Sequence, residues 1–269
     1  MGLVDIHHSA LVDKEAHIDD GVVIGPFSII GKGVRIGKNT KISSHVVIEK
    51  TVLGKNCEVF PHTSIGLPPQ DIKYSNEDTI VKIGDNNIIR EYSTIHRASV
   101  GDDNETFIGN NNFLMAYVHV AHNCKIANNV TMANCATLAG HVELGDYVIV
   151  GGLVAVHQFT RIGSYAMIGG FSGIGMDVPP YMMASGSRAS LYGLNVIGLK
   201  RRGFSEESIN DLKECYKILY KNNLTLAESL RTISEQIRPS QEVRHLIEFI
   251  EKNKRGIMRP DKNAAPAFV

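Results

Sequence analysis

The stretch IGNNNFLMAYVHVAHNCKIANNVTMANCATLAGHVELGDYVIVGGLVAVHQFTRIGSYAMIGGFSGI, residues 108–174, carries an aliphatic side chain at every sixth position. These are Ile108, Leu114, Val120, Ile126, Met132, Leu138, Leu144, Val150, Val156, Ile162, Ile168 and Ile174. Four positions further on stands something small or β-branched, as at Val118, Cys124, Val130, Ala136 and Val142. A period of six matches neither the 3.6 of a helix nor the 2 of an alternating strand. It matches a parallel β-helix with three short strands per coil, each hexad supplying one flat side and its turn. The aliphatic residue and the small residue then point inward, and glycine relieves crowding at the bends. Eighteen residues close one coil, and coils stack about 4.8 Å apart.

The same phase is present upstream. It runs through Ile18, Ile24, Ile30, Ile36, Ile42 and Ile48, slips by one residue to Leu53, Val59 and Ile65, and resumes at Ile83, Ile89 and Ile95. Two polar segments break it, 66–79 (GLPPQDIKYSNEDT) and 97–107 (RASVGDDNETF). They read as loops projecting from the coil, where insertions in a solenoid often build the binding face. Pro179 and Pro180 end the repeat. From Ser205 the pattern turns helical, with Ser205 as N-cap and Glu206 and Glu207 in the first turn. TLAE, 225–228, is a capping box for a second helix. Pro239 and Ser240 introduce a third, with Val243, Leu246, Ile247 and Ile250 on one face. The chain is therefore expected to be mainly β. A β-helix over 1–187 carries the two loops, a small α-helical domain covers 188–255, and a flexible tail covers 256–269.

Composition sets limits on function. Lys+Arg and Asp+Glu are both 28, so no nucleic-acid signature is present. Positive charge is nevertheless in excess after Arg188, which suits an acidic partner or a solvated helical surface. The four cysteines, Cys57, Cys124, Cys135 and Cys215, form no CxxC pair, which favours a reducing compartment. Neither a signal peptide nor a run of apolar residues long enough to span a bilayer is evident.

The chemistry-bearing residues gather on the coil. Residues eighteen apart stack, so His122 falls on Gly140 and then Gln158, Asn123 on His141, and Ala121 on Ala139 and then His157. His122, His141, His157 and Gln158 thus share one corner over three coils, with His119 across the turn. Three uses compete: a metal site, general-base catalysis, or a structural cluster. Gly140 at the centre of the column offers no ligand, which weakens the metal reading. A glycine beside a neutral imidazole favours catalysis, because an exposed backbone N–H can stabilise an oxyanion.

HVAHNC (119–124), NCATLAGHV (134–142), VHQF (156–159), DVPPYM (177–182) and GLKRRGF (198–204) together resemble the UDP-N-acetylglucosamine O-acyltransferase family of lipid A synthesis, within the hexapeptide-repeat acyltransferases. The similarity runs from about residue 5 to the end of the helices. The resemblance implies a left-handed coil, against the usual right-handed crossover. It also implies a cytoplasmic homotrimer with sites between neighbouring subunits. The reaction it implies moves an (R)-3-hydroxyacyl group from acyl carrier protein to the glucosamine 3-hydroxyl. No cofactor or metal is expected beyond the 4'-phosphopantetheine thioester of the donor. Carried over by position, His122 matches the general base and Gly140 the residue whose N–H faces the thioester carbonyl. His119, His141, His157 and Gln158 match residues lining the sugar-nucleotide and pantetheine sites, and Gln70, Asp71 and Lys73 a substrate-contacting set. Asn195, Arg201 and Arg202 match residues near the nucleotide phosphates, where Arg suits bidentate contacts. Met167 matches a substrate-binding residue, and Gly170 the acyl-chain groove, as its length stop. Lys213, Lys217 and Lys221, on one helix face, would dock the acidic carrier protein. One position departs: the family usually has Asp after the histidine base, and here it is Asn123, which can orient the ring but brings no charge. Rival readings are a related N-acyltransferase acting on an amino sugar nucleotide and a non-catalytic structural β-helix.

Overall fold

The computed structural model describes residues 2–100, 104–253 and 255–261. Short strands, most of them two residues long, stack into three parallel sheets that form the sides of a triangular prism. The first side begins at Asp5–Ile6, the second at Leu11–Val12 and the third at His17–Ile18. Registers follow the hexads: His119 pairs with Thr137 and Thr137 with Ala155 on the second side. The fold is a left-handed parallel β-helix with a helical C-terminal region.

The core is the hexad pattern made solid. Ile24, Ile30, Ile36, Ile42, Leu114, Val120 and Ile126 are each 1 % exposed or less, as are Val22, Val34, Val118 and Cys124 from the small-residue phase. Each such aliphatic side chain contributes about 1.5–3 kcal/mol by leaving water. The turn glycines serve close approach between coils. A Cβ at Gly25 would sit 2.8 Å from the Ser43 carbonyl carbon, and one at Gly109 2.7 Å from the Ala127 oxygen. The left-handed backbone positions go instead to larger residues, including Tyr117, Asn123, His141 and Phe159.

The loops project as expected, with shifted borders. Gly66 and Leu67 belong to the strand Ser64–Leu67, and Glu105 to Phe107 to the strand Glu105–Ile108. Part of the second loop, 101–103, lies outside the described residues. Because of the loops, successive coils here advance by 30 residues (Ser64 to Thr94) and 25 residues (Thr94 to His119).

The helical region departs more from expectation. Residues 182–185 continue the first side, and the strand Ser190–Leu194 folds back antiparallel on them, so a hairpin occupies the start of the segment expected to be helical. A short helix α1 (Val196–Arg201) precedes the three expected ones, α2 (Glu206–Lys221), α3 (Leu226–Gln236) and α4 (Gln241–Glu251). Ser205, Thr225 and Ser240 cap α2, α3 and α4, and Thr225 with Glu228 forms the capping box. The tail is not loose where it is described. Ile257 and Met258 are buried, Ile257 bridges Asp177, and Pro260 bridges Leu191, so this segment seals the end of the coil. Residues 262–269 lie outside the described residues.

Candidate active site

The corner between the second and third sides holds the histidines. His122 and Asn123 form the turn from His119–Val120 to Lys125–Ile126. His122 Nδ1 lies 2.9 Å from Asn123 Oδ1. Its ring sits directly over Gly140 in the next coil: a Cβ at 140 would be 2.6 Å from His122 Cε1 and 2.7 Å from Nε2. Glycine is thus what leaves the Nε2 edge open. The Gly140 N–H finds no acceptor among the described residues. His141, in the left-handed region, meets His122 edge to face at 5.2 Å and stacks on Phe159 at 4.5 Å. His157 and Gln158 follow on the same corner, exposed, with His157 Nδ1 3.1 Å from the Gln158 carbonyl.

The loops close over this corner from the preceding coil. His119 Nδ1 is 2.7 Å from the Thr94 hydroxyl, and His96, 8 % exposed, meets His119 edge to face at 5.4 Å. His96 Nδ1 donates to the Pro68 carbonyl at 2.7 Å, tying the coil to the first loop. Burial holds both His96 and His119 below the usual imidazole range; for His119 the neighbouring His96 and His122 push the same way. Asp71 accepts from the Lys73 backbone N–H at 3.0 Å and from the Ser99 hydroxyl at 2.7 Å, which hold its carboxyl below the ordinary range. Gln70 and Lys73 stand exposed on the same loop.

His96 and Ser99 had escaped the reading of the sequence. Stacking by eighteen cannot find them, because the coil that follows His96 is 25 residues long. The hexad phase does contain the signal: Ile95 pairs with Val120, which puts His96 one coil before Ala121.

Other expected residues stand apart from this corner. Met167 and Gly170 lie where the first side, Met167–Ile168, turns into the second, Gly173–Ile174. Arg201 and Arg202 are exposed, and the Arg202 guanidinium lies 4.3 Å from the centre of the Tyr147 ring, at the turn between the third and first sides. Asn195 is buried at the start of α1. Its Oδ1 accepts from Gly198 N–H at 3.1 Å and its Nδ2 donates to the Tyr165 carbonyl at 3.0 Å, so its amide caps α1. Lys213, Lys217 and Lys221 are exposed along α2, with Lys217 paired to Glu214 at 2.6 Å. Among the described residues, no three His, Cys, Asp or Glu side chains are placed to hold one metal ion.

An imidazole with one nitrogen bound to an amide oxygen, the other open, and an adjacent glycine N–H can take a proton and stabilise an oxyanion. Comparison with known proteins gives that geometry a family. Domain 2 of the UDP-N-acetylglucosamine O-acyltransferases matches residues 177–258, and the hexapeptide model of bacterial transferases matches 15–50 and 105–140. A relative from Thermodesulfovibrio yellowstonii, an acyl-[acyl-carrier-protein]--UDP-N-acetylglucosamine O-acyltransferase, is 61 % identical over 256 residues, covering 95 % of this chain and 99 % of its own. This chain belongs to the UDP-N-acetylglucosamine O-acyltransferase family. A relative of the same description from Syntrophobacter fumaroxidans is 47 % identical, covering 95 % of this chain and 100 % of its own. The crystal structure of the Francisella novicida UDP-N-acetylglucosamine acyltransferase superposes with a TM-score of 0.93 at 43 % identity, covering 96 % of this chain and 95 % of that one. No helix among the described residues is long and apolar enough to cross a membrane.

Proposed function

We propose that this chain catalyses the first step of lipid A synthesis, transfer of an (R)-3-hydroxyacyl group from acyl carrier protein to the 3-hydroxyl of UDP-N-acetylglucosamine. The observation that carries the mechanism is the His122 ring poised over Gly140 with Nε2 open. His122 Nε2 takes the proton of the sugar 3-hydroxyl as the oxygen attacks the thioester carbonyl. The carbonyl oxygen becomes an oxyanion, and the Gly140 N–H donates to it. Collapse forms the ester and breaks the C–S bond, and His122 returns the proton to the departing pantetheine sulfur. No other group supplies chemistry, because the thioester arrives on the donor.

Around this centre the exposed side chains bind. His141, His157 and Gln158 line the corner along which the substrates lie, with Gln70, Asp71 and Lys73 above it. Arg201 and Arg202 suit phosphate oxygens. Lys213, Lys217 and Lys221 give α2 a positive face for the acidic carrier protein. Met167 and Gly170 occupy a different corner from His122, so they join this site only from a neighbouring subunit. That separation supports a homotrimer with shared sites. The free cysteines suit the cytoplasm.

The test is an acyl-transfer assay with purified protein, UDP-N-acetylglucosamine and a panel of (R)-3-hydroxyacyl carrier proteins. An O-acylated sugar nucleotide is expected with at least one donor; no transfer from any of them overturns the reading. His122→Ala should lower turnover by roughly 10²–10⁴-fold while the protein stays folded.

A further inference from the structure

We infer that Ser99, in the second loop, is a positioning residue for this reaction: its backbone fixes the tautomer of His122, and its hydroxyl holds Asp71 at the other end of the same hydrogen-bonded chain. The inference rests on His122 being the base. It begins with Asn123, where the family usually has Asp. An Asn beside a histidine is ambiguous, because either end of the amide can face the ring. If the NH₂ end faced Nδ1, that nitrogen would have to accept, the proton would sit on Nε2, and the nitrogen aimed at substrate could not act as base. Replacing the carboxylate of a catalytic triad by Asn produces that fault, at a cost of about 10⁴ in turnover.

Here the ambiguity is removed from the other side. Ser99 N–H donates to Asn123 Oδ1 at 3.0 Å, and Asn123 Nδ2 donates to the Ser99 carbonyl at 3.1 Å. Turning the amide over would set N–H against N–H and oxygen against oxygen. Asn123 is 8 % exposed and Ser99 5 %, so water cannot relieve either clash. Asn123 N–H also donates to Thr106 Oγ1 at 2.9 Å, which holds the turn. With Oδ1 fixed toward His122, Nδ1 must be the donor at 2.9 Å, and Nε2 carries the lone pair.

The second half is electrostatic. Asn123 cannot balance the imidazolium that forms when Nε2 takes a proton. Asp71 can, because the Ser99 hydroxyl holds it at 2.7 Å while the Ser99 N–H meets the Asn123 oxygen that His122 Nδ1 binds, so carboxylate and ring are the two ends of one hydrogen-bonded chain. The imidazoles of His96, His119 and His141 also neighbour His122 and bring no negative charge, while Lys73 faces Asp71. Ser99 joins both parts: one residue sets the proton's place and the counter-charge's place.

The first measurement is ¹⁵N NMR of the wild-type imidazoles above their titration, with His122→Ala used to assign the signal. The proposal requires the Nδ1–H tautomer at His122; the Nε2–H tautomer overturns it. Asn123→Ala should mix the tautomers and lower kcat about tenfold, with the KM for UDP-N-acetylglucosamine within about twofold of wild type. Asn123→Asp should move the acid limb of the kcat/KM profile up by about one pH unit, because a charge next to the ring favours imidazolium. Ser99→Ala keeps the backbone grip, so the tautomer should stay while the acid limb moves to lower pH and the acceptor KM rises about three- to tenfold; Ser99→Thr should restore both. A Ser99→Ala enzyme with wild-type KM and acid limb removes the second half. A His122→Ala enzyme with wild-type turnover sinks the base assignment, whereas the tautomer signal stands or falls without it.

Discussion

A methyl group on residue 140 would have no place to go, since its carbon would fall 2.7 Å from His122 Nε2. Gly140 is outside the positive-φ glycines, so the backbone itself accepts alanine. Gly140→Ala should therefore fold normally and push the imidazole aside. A shift of about 1 Å costs roughly 10²-fold in rate. Turnover that falls by this factor with an unchanged melting temperature is the expected pair of results; wild-type turnover would mean the ring does not work from this position. His96 and His119 give the corner a pH signature. Burial lowers both pKa values in the folded chain, so the unfolded chain binds more protons below about pH 6.5. Their contribution to stability is complete above pH 6.5 and is lost as pH falls toward the folded values. Melting temperature should drop across that window, and His96→Gln, which can still donate to the Pro68 carbonyl, should flatten the drop. An equal slope in this variant would reject the assignment. At this scale the sequence showed His122, Gly140 and His141 by simple stacking. It hid His96 and Ser99, because the loop lengths had to be known before they could be placed.

Arg161 shows what the elements need from one another. It leaves the third side of the coil and reaches the C-terminal end of α4, where Nη1 donates to the Phe249 carbonyl at 3.3 Å and the Lys252 carbonyl at 3.1 Å. Its guanidinium lies 4.2 Å from the Phe249 ring centre, and Glu143 sits 3.4 Å from Nε. A cation here satisfies open carbonyls and opposes the helix dipole. Arg161→Ala should cost about 1.5–3 kcal/mol, felt as lost hydrogen-exchange protection in α4 and at the end of the coil beside buried Asp177, with the earlier coils unaffected. Arg161→Lys should recover less than half, because a point charge cannot hold two carbonyls and stack on a ring. Uniform loss of protection across coil and helices would refute this local role. The caps of α2, α3 and α4 were legible because Ser205, Thr225 and Ser240 act within their own turns. The hairpin 182–194 and the docked segment near Ile257 were not, because their pairing partners are set by the end of the coil and carry no local pattern.

The whole prism separates two parts of the proposed site that the reaction needs together. His122 stands on the corner between the second and third sides, Gly170 on the corner between the first and second. Within one chain a full side divides them, so an acyl chain whose thioester lies at His122 can pass Gly170 only along a neighbouring subunit. Light scattering should accordingly give about three times the 29.5 kDa chain mass, and a fully active monomer would break the shared-site reading. The hexad count alone placed these residues on different corners, whereas the neighbour that the proposal needs to reunite them has no mark in the repeat. In the proposed shared site, Gly170 sets how far the acyl groove runs. It is exposed, and a Cβ there would meet only the Gly152 backbone, at 3.3 Å from the oxygen and 3.9 Å from the nitrogen. A side chain is thus admitted without rebuilding the coil and extends into the space outside it. In Gly170→Met several heavy atoms occupy that space, and each methylene of a long acyl chain that no longer fits forfeits about 0.8 kcal/mol. Donor preference should shift toward chains shorter by several carbons, with the KM for UDP-N-acetylglucosamine unchanged. The check is kcat/KM over a series of hydroxyacyl carrier proteins. A series that keeps its wild-type optimum would show that the acyl chain leaves the site by another route.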